Sequence, residues 1–315
     1  MDTLLLTCRA PRDALAGSST SEAAFDALRT TVDWRLRTLA PRTRVDQHRL
    51  QEAMHSALLA PGKRLRPLCV ILAARDLGYD GANVVDLGCA LEMVHTASLL
   101  LDDLPCMDGA RFRRGVPATH VEYGESVAML AAIALLTRAF EIVSTVAGIS
   151  SDARAHLVSL LASAVGSAGL VAGQFYDLHQ QNEAGSVQQL TSTNELKTGA
   201  LFVAAVEMVS TVARARDADA RALRLFALEL GRAFQLLDDI LDGTSTAGAL
   251  GKDVNQDLGK ATLARLLGIG GAGERLRLHV AAMEDALQTI DGGAGSLRLL
   301  THLIFRNIPV LSAAA

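Results

Sequence analysis

The amino-acid sequence predicts an all-α fold, a single-domain bundle of ten or more helices around a central cavity. Half of the 315 residues are hydrophobic but only 4% are aromatic, and the dominant Ala and Leu have high helix propensity. Alternating runs of β-branched residues, which favour strands, are few. No linker rich in Pro, Gly and Ser divides the chain, although its length alone favours two domains. We therefore expect one domain over residues 21–315, preceded by a loose tail over residues 1–20.

The helices are expected to break where Gly and Pro occur. The third helix follows a loop marked by Gly62 and Pro67. The fourth ends near Pro105, because proline lacks a backbone N–H and disfavours helical geometry in the residue before it. Residues 243–252, GTSTAGALGK, form a loop that either closes over a ligand or only connects two helices. The predicted helices span residues 21–39, 44–59, 66–78, 83–104, 119–147, 151–168, 170–181, 188–213, 218–243, 260–292 and 296–306.

Two aspartate-rich motifs stand at the ends of predicted helices. The first is DDLPCMD over residues 102–108, and the second is DDILD over residues 238–242. Carboxylates crowded on apolar helices must be desolvated beside like charges, which is costly unless cations neutralise them. One such motif is often a solvated helix end, but two favour a shared site. Hard oxygen ligands favour Mg²⁺, which completes its coordination with water and substrate phosphates. The predicted metal ligands are Asp102, Asp103, Asp108, Asp238, Asp239 and Asp242.

The spacing within each motif agrees with a common site. Asp238 and Asp242 lie four residues apart, on one face of a helix, with Asp239 beside them. Pro105 should end the preceding helix, so that the chain can turn back and bring Asp108 towards the first aspartate pair.

Basic residues alternate with the acidic motifs along the chain. The segment GKRLRP places three cations within four residues, and RFRRG directly follows the first aspartate motif. Lys197 begins the stretch KTGALF, and Lys252 and Lys260 follow the second motif. Arg binds phosphate oxygens through a bidentate fork and Lys through a compact charge. GKRLRP alone is equally compatible with a solvated face, but the alternation favours two diphosphates, one held through metal and one held directly.

Together these motifs resemble the trans-isoprenyl diphosphate synthases, or polyprenyl synthetases, and most of all the bacterial geranylgeranyl diphosphate synthases. The resemblance covers roughly residues 55 to 270. Its blocks, in the order of the family, are GKRLRP, CALEMVHTASLLLDDLPCMDGARFRRGVPATHVEYGE, GLVAGQFYDL, KTGALF, FQLLDDILD and GKDVNQDLGKATL. The chain departs from the family at Gly109, where relatives often carry an acidic residue, and at Tyr176, where a basic residue is common.

The resemblance implies an isoprenoid synthase fold and a Mg²⁺-dependent condensation of isopentenyl diphosphate with dimethylallyl, geranyl or farnesyl diphosphate. It further implies about three Mg²⁺ ions per site, a homodimer, and geranylgeranyl diphosphate (C20) as the main product. The six aspartates would hold the metal, and Arg113, Lys197 and Lys252 would add donors where negative charge develops. The implied substrate-binding residues are Gly62, Lys63, Arg66, His95 and Arg114 for isopentenyl diphosphate, and Arg113, Gln174, Asp177, Lys197, Thr198, Gln235, Lys252 and Lys260 for the allylic side.

Two small residues bear on product length. Ala97 and Ser98 precede Asp102 by five and four residues, about one helical turn deeper along a tail cavity. Neither side chain would block a chain at C15, as a bulky aromatic would, so C20 is favoured over farnesyl diphosphate. His95, seven residues before Asp102, lies on the same helix face. The apolar segment 127–136 is either core or the contact face of a homodimer.

Composition excludes several other classes. A net charge of −4 argues against nucleic-acid binding, which requires a basic stripe. Cys69 and Cys89 lie in apolar runs and are expected to be buried reduced thiols, consistent with a cytoplasmic location, whereas Cys106 either packs or is reactive. The N-terminal apolar run is too short for a signal peptide. Residues 157–176 carry no charge, and we expect a buried central helix there rather than membrane insertion.

Three rival functions are weighed against this one. A farnesyl diphosphate (C15) synthase would share every motif. A class I terpene cyclase would pair its first motif with an Asn/Ser/Glu triad and has no use for GKRLRP. A non-catalytic partner subunit of another prenyl synthase would have lost an aspartate motif, and neither is lost.

Overall fold

The fold is that of a computed structural model that describes residues 18–44, 46–179, 186–244, 262–290, 295–306 and 308. Apart from one two-stranded hairpin, the regular structure of these residues is helical, which confirms the all-α prediction. The α-helices are α1 Ser18–Leu39, α2 His48–Leu59, α3 Leu65–Asp76, α4 Asn83–Asp102, α5 Thr119–Tyr123, α6 Glu125–Thr145, α7 Ser151–Val165, α8 Leu170–His179, α9 Val187–Asn194, α10 Ala200–Val212, α11 Asp217–Thr244, α12 Leu263–Gln288 and α13 Gly295–Phe305. A π-helical turn, Glu195–Gly199, joins α9 to α10, and the antiparallel strands are β1 Phe112–Arg113 and β2 Val116–Pro117.

Helix α4 lies at the centre of the bundle and carries the first aspartate motif at its C-terminal end. It packs against α1, α2, α3, α6 and α10, and side chains all around its circumference are buried, among them Leu87, Leu91, Met93 and Val94. A helix that is apolar on every side is buried on every side. Most of the buried hydrophobic residues from Phe25 to Ile308 form one cluster.

Two predicted helices are interrupted in the structure. The segment 119–147 breaks at Gly124, whose φ of 91° is a left-handed value that favours glycine, and so α5 is separated from α6. The segment 188–213 contains the π-helical turn, which inserts an extra residue per turn and is frequent at functional sites.

The prediction of one buried central helix over residues 157–176 is wrong. Helix α7 ends at Val165, and α8 begins after a Gly-containing break at 166–169. Helix α7 buries only Leu157 and Leu161, while Val171 and Phe175 of α8 are exposed. The stretch is uncharged, but many of its residues, both small and large, are exposed. The buried central helices are α4 and α10.

Three described stretches are long and apolar enough to cross a membrane by length and composition: Asn83–Asp102, Glu125–Thr145 and Ser151–His179. The first is mostly buried inside the protein.

Two of the described cysteines were expected to be buried, and both are. Cys69 and Cys89 are buried free thiols, and burial raises the pKa of Cys69 to about 12 and that of Cys89 well above its ordinary value. Cys106 is exposed, so it has no packing role.

Candidate active site

The first aspartate motif folds back on itself at the end of α4, as the sequence predicted. Helix α4 ends at Asp102, and the backbone N–H of Asp108 donates to the carbonyl of Asp102 at 2.9 Å. Gly109 closes the turn with a φ of 64°, and its N–H donates to the carbonyl of Leu104 at 3.0 Å. The left-handed backbone explains a glycine where relatives often carry an acidic residue.

The β1–β2 hairpin presents two arginines to the site. Arg113 lies opposite Val116 in the ladder, and the two loop residues Arg114 and Gly115 have φ of 54° and 81°. Positive φ at both central residues defines the type I′ turn that two-residue hairpins prefer. From β1, Arg113 forms an ion pair with the buried carboxylate of Asp103, with an Nε–Oδ1 distance of 3.0 Å.

The positive charges near this motif are too few to neutralise its carboxylates. Burial raises the pKa of Asp102 to about 6; nearby Lys197 opposes the shift, and Asp108 and Asp103 add to it. Burial also raises the pKa of Asp103, although Arg113 partly offsets this effect. Crowded oxygen donors of this kind suit a divalent cation such as Mg²⁺. Within the described ranges, no three His, Cys, Asp or Glu side chains already form a preassembled metal cage.

A cluster of cationic groups lies within electrostatic range of this motif. The guanidinium of Arg66 stacks on the Phe202 ring at 4.9 Å, and its buried Nε makes no hydrogen bond. Burial lowers the pKa of Arg66 to about 10, and the nearby charge of Arg114 contributes. Burial and these same guanidiniums lower the pKa of His95 well below its ordinary value, so His95 is neutral. An unpaired buried donor among like charges is an incomplete site that an anion would complete.

Gly62 allows the cluster to close. A Cβ atom at this position would lie 2.8 Å from Nη1 of Arg114, so a larger residue would require the guanidinium to shift. Lys63 is exposed, with its ammonium 5.9 Å from the centre of the Phe234 ring. Asp238 of the second motif lies within electrostatic range of Arg66. The structure therefore brings together the residues predicted for isopentenyl diphosphate.

The π-helical turn places Thr198 beside the second aspartate motif and Lys197 within electrostatic range of Asp102 in the first. Lys197 Nζ donates to Asp177 Oδ2 at 2.8 Å. Thr198 Oγ1 donates to Gln235 Oε1 at 2.9 Å, and Gln235 Nε2 donates to Asp239 Oδ1 at 3.0 Å. The predicted allylic-side residues on α8, the π turn and α11 thus form two hydrogen-bonded groups, which meet at the adjacent residues Lys197 and Thr198.

Two further groups complete this side of the site. The other carboxylate oxygen of Asp239 accepts the N–H of Leu263 at 3.2 Å, which ties α11 to the start of α12. Gln174 of α8 is buried, and neither its amide nitrogen nor its oxygen has a hydrogen-bond partner. Such an amide costs free energy unless a ligand or water satisfies it, which supports its predicted place in a binding site.

Some predicted residues lie elsewhere or cannot be placed. Asp242 is exposed at the edge of the group. Lys252 and Lys260 lie outside the described residues. Ala97 is buried in the hydrophobic core, whereas Ser98 is half-buried and donates its hydroxyl to the carbonyl of His95 at 2.8 Å.

Two ion-pair networks behind the site were not anticipated from sequence. Arg232 of α11 bonds to Glu195 of the π turn at 2.6 Å and to Glu229 at 2.5 Å, and Glu229 also contacts His279 of α12 at 2.5 Å. Arg64 is buried against Glu92. Apart from Glu229 and Arg232, which are three residues apart on α11, the partners are far apart in the chain, so no local pattern reveals these pairs.

Comparisons with known proteins agree with this geometry. The sequence model described as "Polyprenyl synthetase" matches residues 47–285. The chain is 43% identical to the geranylgeranyl diphosphate synthase of Pseudescherichia vulneris over 89% of this chain and 91% of the relative, and 46% identical to that of Pantoea ananas over 84% and 87%. It is 37% identical to the farnesyl diphosphate synthase of Geobacillus stearothermophilus over 81% and 88%. A Helicobacter pylori geranyltransferase, solved in complex with magnesium and isoprenyl diphosphate, superposes with a TM-score of 0.81 at 28% identity, over 92% of this chain and 99% of that one.

Proposed function

Because the chain belongs to the polyprenyl synthetase family, we propose that it is a prenyltransferase that adds isopentenyl diphosphate to allylic diphosphates and releases mainly geranylgeranyl diphosphate. The observation that carries this proposal is the presence of two neighbouring groups of side chains, each suited to a diphosphate. One is the pair of guanidiniums of Arg66 and Arg114 with the neutral His95 beside them, and the other is the carboxylate group with Lys197 beside it. A site with both can hold two diphosphates in different ways, one by direct contact and one through metal.

The metal ligands would be the six aspartates of the two motifs. Their oxygen donors and the raised pKa of Asp102 fit Mg²⁺, and about three ions per site are expected. Bound Mg²⁺ supplies Lewis-acid neutralisation of the departing diphosphate. The magnesium named for the Helicobacter pylori structure supports this assignment.

Side chains of the protein bind the two diphosphates. Lys63, Arg66 and Arg114 hold the diphosphate of isopentenyl diphosphate, while Lys197 and Arg113 donate to the allylic diphosphate as it leaves. The allylic C1–O bond breaks, and the C3–C4 double bond of isopentenyl diphosphate attacks C1 to form the new C–C bond. A proton then leaves C2 of the condensed chain for the released diphosphate, which forms the new double bond.

Neutral oxygens line the path of the carbocation. Thr198 and Gln235 are fixed by their mutual hydrogen bond and by Asp239. Their dipoles stabilise positive charge without offering a nucleophile as strong as a free carboxylate. The buried amide of Gln174 is a further polar contact on the allylic side.

A C20 product is supported by the small side chains one turn below Asp102. Ala97 packs in the core and Ser98 is half-buried, and both are too small to stop a tail as a large aromatic side chain would. The 37% identity to a farnesyl diphosphate synthase keeps a C15 product as the alternative. A non-catalytic partner role is disfavoured, because both aspartate motifs and the cationic cluster are present.

A homodimer is proposed from the surface of α6. Met129, Leu130 and Ile133 are 41%, 54% and 56% exposed on one stripe of this helix, an apolar surface typical of interfaces. Light scattering at micromolar concentration should give twice the 33.2 kDa mass of the chain. Leu130→Asp should reduce it to a monomer, whereas a monomeric wild type would refute the proposal.

We also propose a cytoplasmic enzyme without stable membrane insertion. Reduced, buried Cys69 and Cys89 support the compartment, and the burial of α4 removes one apolar stretch from contact with lipid. Recovery of the protein in a high-speed supernatant tests this, and retention in carbonate-washed membranes would contradict it.

Removal of single motif carboxylates tests the enzyme assignment. Asp102→Ala or Asp238→Ala should lower turnover of isopentenyl diphosphate by about 10²-fold or more while the protein stays folded by circular dichroism. Asp26→Ala, which removes an exposed carboxylate of α1, is the matched control and should keep full activity. Equal activity of all three variants would exclude the proposed metal ligands.

A further inference from the structure

A buried carboxylate lies beside the cationic cluster. Glu92 of α4 is 2% exposed and precedes His95 by one helical turn. Its negative charge reaches both Arg66 and Arg114, where it opposes the lowering of their pKa that burial causes. A carboxylate in this place would compete with a diphosphate for the same guanidiniums.

Arg64 forms an ion pair with this carboxylate. Its Nη1 donates to Glu92 Oε1 at 2.9 Å, and the side chains of both residues are almost fully buried. The other two nitrogens are also used, because Nε donates to Asp33 at 2.8 Å and Nη2 to the carbonyl of Ala60 at 2.9 Å. Three fixed contacts hold the guanidinium in one orientation.

The backbone conformation at Arg64 directs this side chain away from those of Lys63 and Arg66. Arg64 has φ of 51° and ψ of 36°, a left-handed conformation that disfavours residues other than glycine. Its side chain contacts α1 and α4, whereas Lys63 and Arg66 lie against Phe234 of α11 and Phe202 of α10. The GKRLRP segment thus directs Arg64 towards α1 and α4, and Lys63 and Arg66 towards α11 and α10.

We infer that Arg64 is a positioning residue that neutralises Glu92, so that Arg66 and Arg114 stay available for the diphosphate of isopentenyl diphosphate. The identification of the ligand as isopentenyl diphosphate rests on the proposed function, whereas the pairing of Arg64 with Glu92 does not. Arg64 itself never touches the substrate. It acts by keeping a buried negative charge paired, and its loss turns Glu92 into an internal competitor of the ligand.

The test is a rescue that a purely structural role does not predict. Arg64→Met should raise the KM for isopentenyl diphosphate by about tenfold or more, with a smaller change in the KM for the allylic substrate. Adding Glu92→Gln to this variant should return the KM to within about threefold of wild type, because the competing charge is then absent. A double variant as impaired as Arg64→Met, or more so, would overturn the inference.

A matched control separates this effect from general loss of an α1–α4 contact. Arg35 of α1 binds Asp86 of α4 through two bonds of 2.6 and 2.9 Å, six residues before Glu92. Arg35→Met should leave the KM for isopentenyl diphosphate unchanged. An equal rise in KM in this control would also overturn the inference.

Two measurements cover the cases in which Arg64→Met does not fold or the enzyme proposal fails. Glu92→Gln alone should leave the KM unchanged or lower it, and a tenfold rise would contradict the inference. Binding of inorganic diphosphate without Mg²⁺ can be measured by calorimetry, and this measurement does not depend on turnover. It should weaken about tenfold in Arg64→Met and recover in the double variant, even if isopentenyl diphosphate is not a substrate. Unchanged binding in Arg64→Met would refute the positioning role while leaving the proposed activity intact.

Discussion

The contact between α8 and the π-helical turn should be the least tolerant packing in the active site. A Cβ atom added at Gly173 would lie 2.4 Å from the backbone nitrogen of Lys197 and 2.8 Å from its Cα. Backbone atoms cannot rotate away as a side chain can. Reaching ordinary contact distance therefore requires α8 and the turn to separate by about 1 Å.

Gly173→Ala should consequently affect both stability and catalysis. Overpacking of this kind costs about 1–3 kcal/mol of unfolding free energy. The displacement also moves Lys197 relative to its partner Asp177, and a misplacement of about 1 Å can cost about 10²-fold in rate. We expect a lower midpoint in urea unfolding and a kcat reduced by about 10²-fold, with isopentenyl diphosphate turnover as the assay.

Gly199→Ala provides the control in the same turn. Its added Cβ meets no atom closer than 4.0 Å, and alanine is favoured over glycine in a helix by about 0.5–1 kcal/mol. This variant should be as stable as wild type or more stable, and fully active. If Gly173→Ala matches Gly199→Ala in both assays, the reasoning about this interface is refuted.

Three further predictions follow from the site and its surroundings. Arg66→Ala should raise the KM for isopentenyl diphosphate more than that for the allylic substrate, and Lys197→Ala should do the reverse or mainly lower kcat; equal steady-state effects on both substrates would refute the two-site assignment. Burial raises the pKa of Glu229, but its hydrogen bonds and charge interactions with His279 and an arginine outweigh this and leave it lowered. The stabilisation from the Glu229 carboxylate is therefore present above its unfolded-state pKa and lost as the pH falls through its folded-state pKa. Glu229→Gln should cost about 1–3 kcal/mol of unfolding free energy in urea at pH 7 and less below about pH 4. A cost independent of pH would contradict this. Ala97→Phe should shift the main product from C20 to C15 in chain-length analysis, and an unchanged C20 product would remove Ala97 from the tail cavity.

Much of the fold could be predicted from sequence, because strong local signals agreed with tertiary packing. Pro105 ended α4 as expected, and Asp108 turned back towards Asp102. The prediction for the stretch 157–176 failed because absence of charge is not evidence of burial. The hairpin at 112–117 was missed because Arg114-Gly115 was interpreted only as charge, although a glycine between two short extended pairs is also a turn signal.

The directly binding residues were easier to predict than those that support them. Arg66, His95 and Lys197 were assigned from motif resemblance; the structure places Arg66 near His95 and pairs Lys197 with Asp177. Arg64 belongs to the same motif as Arg66, but its buried role depends on a left-handed backbone and a partner 28 residues away. No sequence period encodes such a pair, and so only the three-dimensional arrangement distinguishes the two arginines.

The most direct test of the central claim is product analysis of the purified protein. Isopentenyl diphosphate, Mg²⁺ and each of dimethylallyl, geranyl and farnesyl diphosphate would be supplied in turn, and the chain length would be measured by mass spectrometry after dephosphorylation. We predict consumption of isopentenyl diphosphate with mainly C20 product, abolished by Asp102→Ala. No consumption with any of the three primers would contradict the enzyme assignment, and mainly C15 product would contradict the assignment of product length.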